Sequence, residues 1–181
     1  MTFRSRRHCC FLLLAALALG LACRLTVIPL PALATEAAQV NDLLSGKVLW
    51  VYDGDTLEVS GVGKVRMIGI DAPEREPSPR DDFFLRRGIA PGTLRRIHRQ
   101  GLDFLIGTVK GEMVYLEGEK PKRDRHGRLL AYVFLSDGQC LNKTMLDKGY
   151  AVVYRRFDFS RKPDFLKAEE SARRQKQGLW Q

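Results

Sequence analysis

Hydrophobic and polar positions along the chain follow a strand pattern in its middle and a helical pattern further on. Three short segments rich in β-branched and aromatic residues lie at 47–52, 56–60 and 64–70. Asp53-Gly54 and the glycine-containing stretch at 61–63 separate them and predict tight turns. Two further strands of the same kind are predicted at 112–116 and 129–134. The pattern therefore predicts three hairpin-linked strands followed by two later ones.

Helical spacing predicts three helices. The first carries its apolar residues on one face and its arginines elsewhere (inner: Leu94, Ile97, Gly101, Phe104, Leu105; outer: Arg95, Arg96, Arg99). His98 within it is expected to be a solvated or boundary residue. A shorter helix at 141–148 is expected to use Asn142 near its start as a cap. The last begins near Pro163, with Phe165, Ala168 and Ala172 inward, and stops at Gly178.

Prolines at 77, 79 and 91 lie among charged residues and predict a long surface excursion at 75–92. This segment cannot be one regular helix or strand over its whole length. A basic loop is predicted at 120–127. Five strands, mostly ahead of three helices, indicate an α+β fold. A small closed or partly closed five-stranded barrel is the favoured architecture.

The first 34 residues have the layout of a secretory signal peptide: early arginines, an apolar run, and Ala32-Leu33-Ala34. Cleavage after Ala34 is expected, with a secreted or periplasmic mature protein. An uncleaved membrane anchor and lipidation at Cys23 are the alternatives. Residues 35–46 are predicted to be a flexible arm, and 47–181 the folded domain.

Net charge and cysteine content restrict the ligands and the kinds of site that the mature chain can have. The net charge is +9, and removal of the leader with its four arginines leaves 26 basic and 21 acidic residues, or +5. A positive domain attracts polyanions, although charge alone is weak evidence for nucleic acid. Cys140 is the single cysteine after residue 34, which excludes an intramolecular disulfide and a cysteine-based zinc site in the mature chain.

Two acids occupy predicted strand ends. Asp55 follows the Asp53-Gly54 turn, and Asp71 ends the third predicted strand. If those ends adjoin, the carboxylates converge and favour calcium or magnesium held by oxygen, with the Ala72 carbonyl as a further ligand. Glu74, after Pro73, is placed to orient or deprotonate a water beside the metal. The alternative is that Asp53 and Asp55 only build a turn.

Two arginines flank these acids in the sequence. Arg66 precedes Asp71 in the same predicted strand, and Arg128 follows Gly127 at the start of the next. Forked guanidinium groups suit a phosphate and the charge of its transition state, whereas surface ion pairs are the usual role of a single arginine. Further substrate contacts are predicted from the basic loop and the 154–157 run: Lys120, Lys122, Arg125, His126, Tyr154 and Phe157.

The three frames Asp53-Gly54-Asp55-Thr56, 65–74 and 124–132 together resemble those of the thermonuclease family, over about 48–180. The resemblance implies an OB-type five-stranded barrel with three helices and calcium-dependent hydrolysis of DNA and RNA with little sequence preference. It also implies 3′-phosphate and 5′-hydroxyl products. By the same resemblance Asp55, Asp71 and the Ala72 carbonyl bind calcium, Glu74 handles the attacking water, and Arg66 and Arg128 bind the phosphate.

The resemblance has departures, and two other functions stay open. Well-known members carry threonine at the position of Ala72, and the excursion with Asp81, Asp82, Phe83 and Phe84 has no counterpart in them. The alternatives are a nucleic-acid-binding barrel that has lost catalysis and an export-pathway domain that binds protein or sugar. Retention of all five polar residues favours the enzyme. DNA and RNA are the expected partners of a monomer, with no obligate protein partner.

Overall fold

The computed structural model describes residues 44–181, apart from the side chain of Pro121. The predicted leader, its cleavage after Ala34, Cys23, and residues 35–43 of the predicted arm lie outside the described residues. The rest of that arm, residues 44–46, was wrongly assigned, because these residues pair as a strand. Between residues 44 and 181 no helix combines the length and apolar character needed to cross a membrane.

Seven strands, four α-helices and one 3₁₀ helix make up the described part of the chain. In order they are β1 Leu44–Asp53, β2 Thr56–Val59, β3 Gly63–Met67, β4 Ile70–Asp71, α1 Asp81–Leu85, α2 Pro91–Val109, β5 Met113–Arg123, β6 Leu129–Phe134, α3 Leu141–Asp147, β7 Val152–Val153, α4 Lys162–Arg174 and the 3₁₀ helix Gly178–Trp180.

Five of these strands form a closed barrel in the order β1-β2-β3-β6-β5, with β1 pairing with β5 to complete it. All pairs are antiparallel except β3 with β6, which run parallel. In β3 alternate side chains, those of Val65 and Met67, fill the interior. The predicted α+β fold, a five-stranded barrel with three substantial helices (α2, α3 and α4), is confirmed.

The third predicted strand is broken. β3 ends at Met67, and β4 leaves the barrel to pair with β7, with Ile70 opposite Val153. The break lies at Gly69, whose φ of +78° is one that residues with a Cβ rarely adopt. A Cβ there would also lie 2.6 Å from the Phe159 ring. Asp71 is therefore carried on a small two-stranded sheet beside the barrel.

Two predicted irregular segments are more ordered than expected. β5 continues through most of the predicted basic loop to Arg123, which pairs with Leu129, so only a turn at 124–127 remains. The excursion at 75–92 contains α1, and its Phe84 is buried in a second small core with Ile97 of α2. Both segments gain packing partners that their own sequences do not reveal.

Asn142 does not cap α3, contrary to expectation, because its side chain is fully buried and bonds elsewhere. Its Oδ1 accepts from the Val133 amide at 2.9 Å, and its Nδ2 donates to the Ile68 carbonyl at 2.9 Å. β3 leaves β6 at this point, and the Asn142 amide replaces the missing strand. The predicted inner stripe of α4 is confirmed: Phe165, Ala168 and Ala172 are buried.

Candidate active site

The Asp53-Gly54-Asp55 turn is held against the chain that follows β4. The Asp55 amide donates to Asp53 Oδ1 at 2.9 Å, and Asp55 Oδ2 accepts from the Ala72 amide at 3.0 Å. A Cβ at Gly54 would lie 2.6 Å from the Ala72 Cβ, so only glycine permits this approach. The contact brings Asp55 beside Asp71, although the two lie on separate sheets.

Asp55 and Asp71 share one guanidinium group. Both residues are buried, with 5% and 6% of their surface exposed. Arg66 of β3 forms an ion pair with Asp55 through Nη1, and its Nη2 lies 3.1 Å from Asp71 Oδ1. The same Nη2 donates to the Ile70 carbonyl at 3.1 Å. The structure thus brings Asp55, Arg66 and Asp71 into direct contact.

The electrostatic surroundings of Arg66 are mixed. Burial lowers the pKa of Arg66 from its ordinary value, and the nearby Arg80 and Arg128 lower it further. Asp71 and Asp53 act in the opposite direction. An arginine stays protonated in proteins even so. The group is therefore a buried, permanent positive charge that a phosphate would stabilise.

Arg128 lies on the same outer face of the barrel as Arg66. The parallel register pairs Arg66 with Leu130 of β6, and Arg128 lies two residues before Leu130, directly ahead of that strand. Asp124 orients its guanidinium, with 2.8 Å from Nε to Oδ2 and 2.7 Å from Nη2 to Oδ2. Burial works to raise the pKa of Asp124, but hydrogen bonds from Arg128 and from the His126 amide hold it below its ordinary value.

Glu74 reaches the buried acids through an arginine that was not among the predicted site residues. Arg80, directly before α1, contacts Asp71 through Nη2 and Glu74 through Nη1. Its side chain is half-exposed. Among residues 44–181 no three His, Cys, Asp or Glu side chains form a cluster that could hold a metal. A guanidinium bridge, and not direct carboxylate contact, therefore joins Glu74 to Asp71.

Two side chains of α2 fix the backbone at Glu74. Arg95 Nη1 donates to the Glu74 carbonyl at 2.6 Å, and its Nη2 forms an ion pair with Asp81. His98 Nδ1 lies 2.9 Å from the Pro73 carbonyl, and the ring is buried. The expectation that His98 is a solvated or boundary residue was wrong, whereas Arg95 lies outside the buried stripe of α2, as expected, and is partly buried by these contacts. Their i,i+3 spacing on α2 was a signal that both point the same way.

The other predicted substrate contacts fall into two groups. Lys120, Lys122, Arg125 and His126 are exposed on the β5–β6 hairpin, which also carries Arg128. Tyr154 and Phe157 follow β7, with ring centroids 5.8 Å apart, and the Tyr154 amide donates to the Gly69 carbonyl at 2.9 Å. Both groups lie on elements that also carry or adjoin site residues. Their roles toward a substrate stay predictions.

Comparison with known proteins decides the family. Residues 64–181 match the model of the staphylococcal nuclease homologue family. The chain belongs to this family. The matched segment contains Arg66, Asp71, Glu74 and Arg128 and begins after Asp55. The resemblance inferred from the sequence is confirmed.

Several curated proteins are similar over most of their length. The uncharacterized protein MJ1439 of Methanocaldococcus jannaschii is 35% identical, covering 81% of this chain and 76% of that protein. An uncharacterized endonuclease of Escherichia coli is 32% identical, covering 76% and 77%. A thermonuclease of Staphylococcus hyicus is 30% identical, covering 74% of each chain.

Proposed function

We propose that this protein is a nuclease that hydrolyses phosphodiester bonds of DNA and RNA with little sequence specificity. The observation that carries the proposal is the arrangement of Asp55 and Asp71 around Arg66, with Arg128 on the same barrel face. Family membership and relatives named thermonuclease and endonuclease support it. The phosphate would lie between the two guanidinium groups.

The two arginines are held in place before any substrate arrives. Arg66 is fixed by two carboxylates and a carbonyl, and Arg128 by Asp124. Groups already aimed at developing charge need no reorganisation during reaction, and losing one such donor typically costs about 3 to 4 kcal/mol of the barrier. The two guanidinium groups would bind nonbridging oxygens of the phosphate in forked geometry. They would thereby stabilise the extra negative charge of a five-coordinate phosphorus.

Calcium is proposed as the cofactor, and the residues present fit it. The side chains brought together here, Asp55 and Asp71, offer oxygen ligands, as a hard cation prefers. The site already attracts a cation: Arg80 is seated on the Asp71 and Glu74 carboxylates. Asp55, Asp71 and the Ala72 carbonyl would hold the ion. When bound, it would offset phosphate charge and make a coordinated water more acidic.

Glu74 is proposed as the general base. Its carboxylate is about one-third exposed, so it can contact water, while Arg95 fixes its carbonyl. Accepting a proton from water at this position typically accelerates reaction by about 10² to 10⁴. Attack of the water oxygen on phosphorus, with its proton passing to Glu74 and the P–O5′ bond breaking, would leave a 3′-phosphate and, once the departing oxygen has taken up a proton, a 5′-hydroxyl. A barrel that only binds nucleic acid would need neither Glu74 nor the buried acid pair, so catalysis is favoured.

The test is hydrolysis of single-stranded DNA and RNA by the purified protein while calcium is titrated. Activity should rise with calcium and stop on chelation. New 5′ ends should accept a radioactive phosphate from a polynucleotide kinase without prior phosphatase treatment. Glu74→Gln should lower kcat by about 10² or more with little change in KM. Glu76→Gln, an exposed acid two residues away, is the matched control and should leave both constants unchanged.

Two results would refute the proposal. Hydrolysis that continues at full rate after chelation would exclude the calcium-dependent mechanism. Equal loss of activity in the Glu74 and Glu76 variants would exclude the role given to Glu74.

Export is proposed as well, from the leader pattern: the mass of the protein recovered from the periplasm or medium should correspond to a chain that begins at Thr35.

A further inference from the structure

β1 presents two large aromatic side chains to solvent. Trp50 is 53% exposed and Tyr52 is 42% exposed, whereas Val48 and Val51 of the same strand are buried. Register shifts between Val48 and Trp50 and between Val51 and Asp53 interrupt the alternation of the strand, so that Leu49 and Trp50 are both exposed. Rings left this exposed contribute little to the core.

Each ring is accompanied by a lysine. Lys110 Nζ lies 4.3 Å from the Trp50 ring centroid, and Lys64 Nζ lies 4.4 Å from that of Tyr52. Both lysines are exposed. One acidic residue, Glu58 of β2, lies beside Tyr52 and accepts a hydrogen bond from its hydroxyl at 3.0 Å. We call Trp50, Tyr52, Lys64 and Lys110 the β1 aromatic face.

The β1 aromatic face leads directly to the candidate active site. Trp50 pairs with Glu58 of β2, and Glu58 pairs with Lys64 of β3. Lys64 and Arg66 are two residues apart on the outer face of β3, about 7 Å along the strand. The parallel pairing of Val65 with Leu129 sets Lys64 level with Arg128, which immediately precedes β6. One continuous surface therefore joins the aromatic rings to both arginines.

The chemistry of this surface selects its ligand. Aromatic faces stack on bases of any sequence, and neighbouring ammonium groups meet the phosphates of the same strand. The base faces of a duplex are stacked inside it and cannot reach the rings. The distance across the sheet from β1 to β6 is three strand spacings, or about 14 Å. At about 3.4 Å per stacked nucleotide, that is roughly four nucleotides.

We propose that the β1 aromatic face is a binding site for single-stranded nucleic acid, a few nucleotides from the bond that is cut. Trp50 and Tyr52 stack on bases, while Lys64 and Lys110 contact phosphates. The inference builds on the proposed nuclease function and adds a preference for single strands of several nucleotides. Substrates of two nucleotides would not reach the rings and would not benefit from them.

Tryptophan fluorescence tests the site without catalysis. The full-length Trp180→Phe protein keeps Trp50 as its single tryptophan. Titration with an oligothymidylate of about 12 nucleotides, in chelator to stop hydrolysis, should quench Trp50 to saturation, and salt should weaken the binding. Trp50→Ala and Tyr52→Ala should each weaken oligonucleotide binding, measured by anisotropy, about tenfold or more. Cleavage of a dinucleotide should be unaffected.

Tyr115→Ala is the matched control. Tyr115 is an exposed aromatic residue on β5, opposite Ser45 and so about 16 Å along β1 from Trp50. Its loss should leave binding within twofold, and thermal melts should show all three variants folded. Sedimentation of the wild-type and Trp50→Ala proteins tests whether the face instead joins two copies of the chain.

The outcomes separate this inference from the proposed function. DNA cleavage with an unquenched Trp50, and binding within twofold in the Trp50 and Tyr52 variants, would overturn the inference while the nuclease stands. A dimer dissociated by Trp50→Ala, without quenching by oligonucleotide, would also overturn it. Quenching without any hydrolysis would support the binding site and refute the nuclease.

Discussion

Replacing Asn142 by alanine should destabilise the protein strongly. The side chain is fully buried and satisfies the Val133 amide and the Ile68 carbonyl. The Ala131 carbonyl, 3.4 Å from Asn142 Nδ2, would keep its bond from the Ile68 amide at 2.9 Å. The buried Val133 amide and the partly buried Ile68 carbonyl are left without partners, each costing about 1 to 3 kcal/mol, so the loss should be about 4 kcal/mol.

Urea unfolding followed by far-ultraviolet circular dichroism measures this loss. With an m-value of about 2 kcal/mol/M, the midpoint should fall by about 2 M. Thr144→Ala is the matched control on α3, because its hydroxyl only donates back to the Cys140 carbonyl at 3.2 Å, and should cost under about 1 kcal/mol. A loss under about 1 kcal/mol for Asn142→Ala would refute the reasoning, since it would mean that the two groups find other partners.

Three further predictions concern charge. Arg66→Lys should lower kcat/KM on single-stranded DNA by about 10² or more, because one ammonium cannot reproduce the forked contacts; activity within threefold of wild type would contradict this. Asp124 has a lowered folded-state pKa, so its contribution to stability is present above about pH 4 and is lost as pH falls through that lowered value. The melting-temperature difference between wild type and Asp124→Asn should therefore shrink in acid; a difference unchanged down to about pH 2 would count against it. Arg80→Gln should tighten calcium binding, measured by calorimetry on the substrate-free protein, by roughly two- to fivefold after allowance for its exposure. Exposed Arg75→Gln is the control, and equal affinities in the two variants would contradict competition by Arg80.

Local patterns were enough for the barrel strands and the main helices. The barrel strands are marked by runs of β-branched and aromatic residues between turn residues, and the stripe of Phe165, Ala168 and Ala172 in α4 follows a helical period that neighbouring residues already display. The positions around Asp55, Arg66 and Arg128 were recognisable because each stands in a short frame with turn residues beside it. These features are encoded over a few residues.

Contacts between distant segments were not predictable in the same way. Arg80 reaches Asp71 and Glu74 because α1 folds back over the site, and Phe84 anchors that segment in a core built mostly by later residues. Asn142 bonds to β6 and Ile68 because β3 departs from β6 at that point. No local pattern signals that departure.

The sequence by itself determined the kinds of groups present: acids at strand ends, arginines beside them, and the periodicities that fold the chain into a barrel with helices. The tertiary structure alone decided that Asp55 and Asp71 share Arg66, that Arg80 bridges Asp71 and Glu74, and that Trp50 and Tyr52 face solvent beside the site. The physical reason is that hydrophobic period is a local property, whereas ion pairing depends on which surfaces meet after the core has formed.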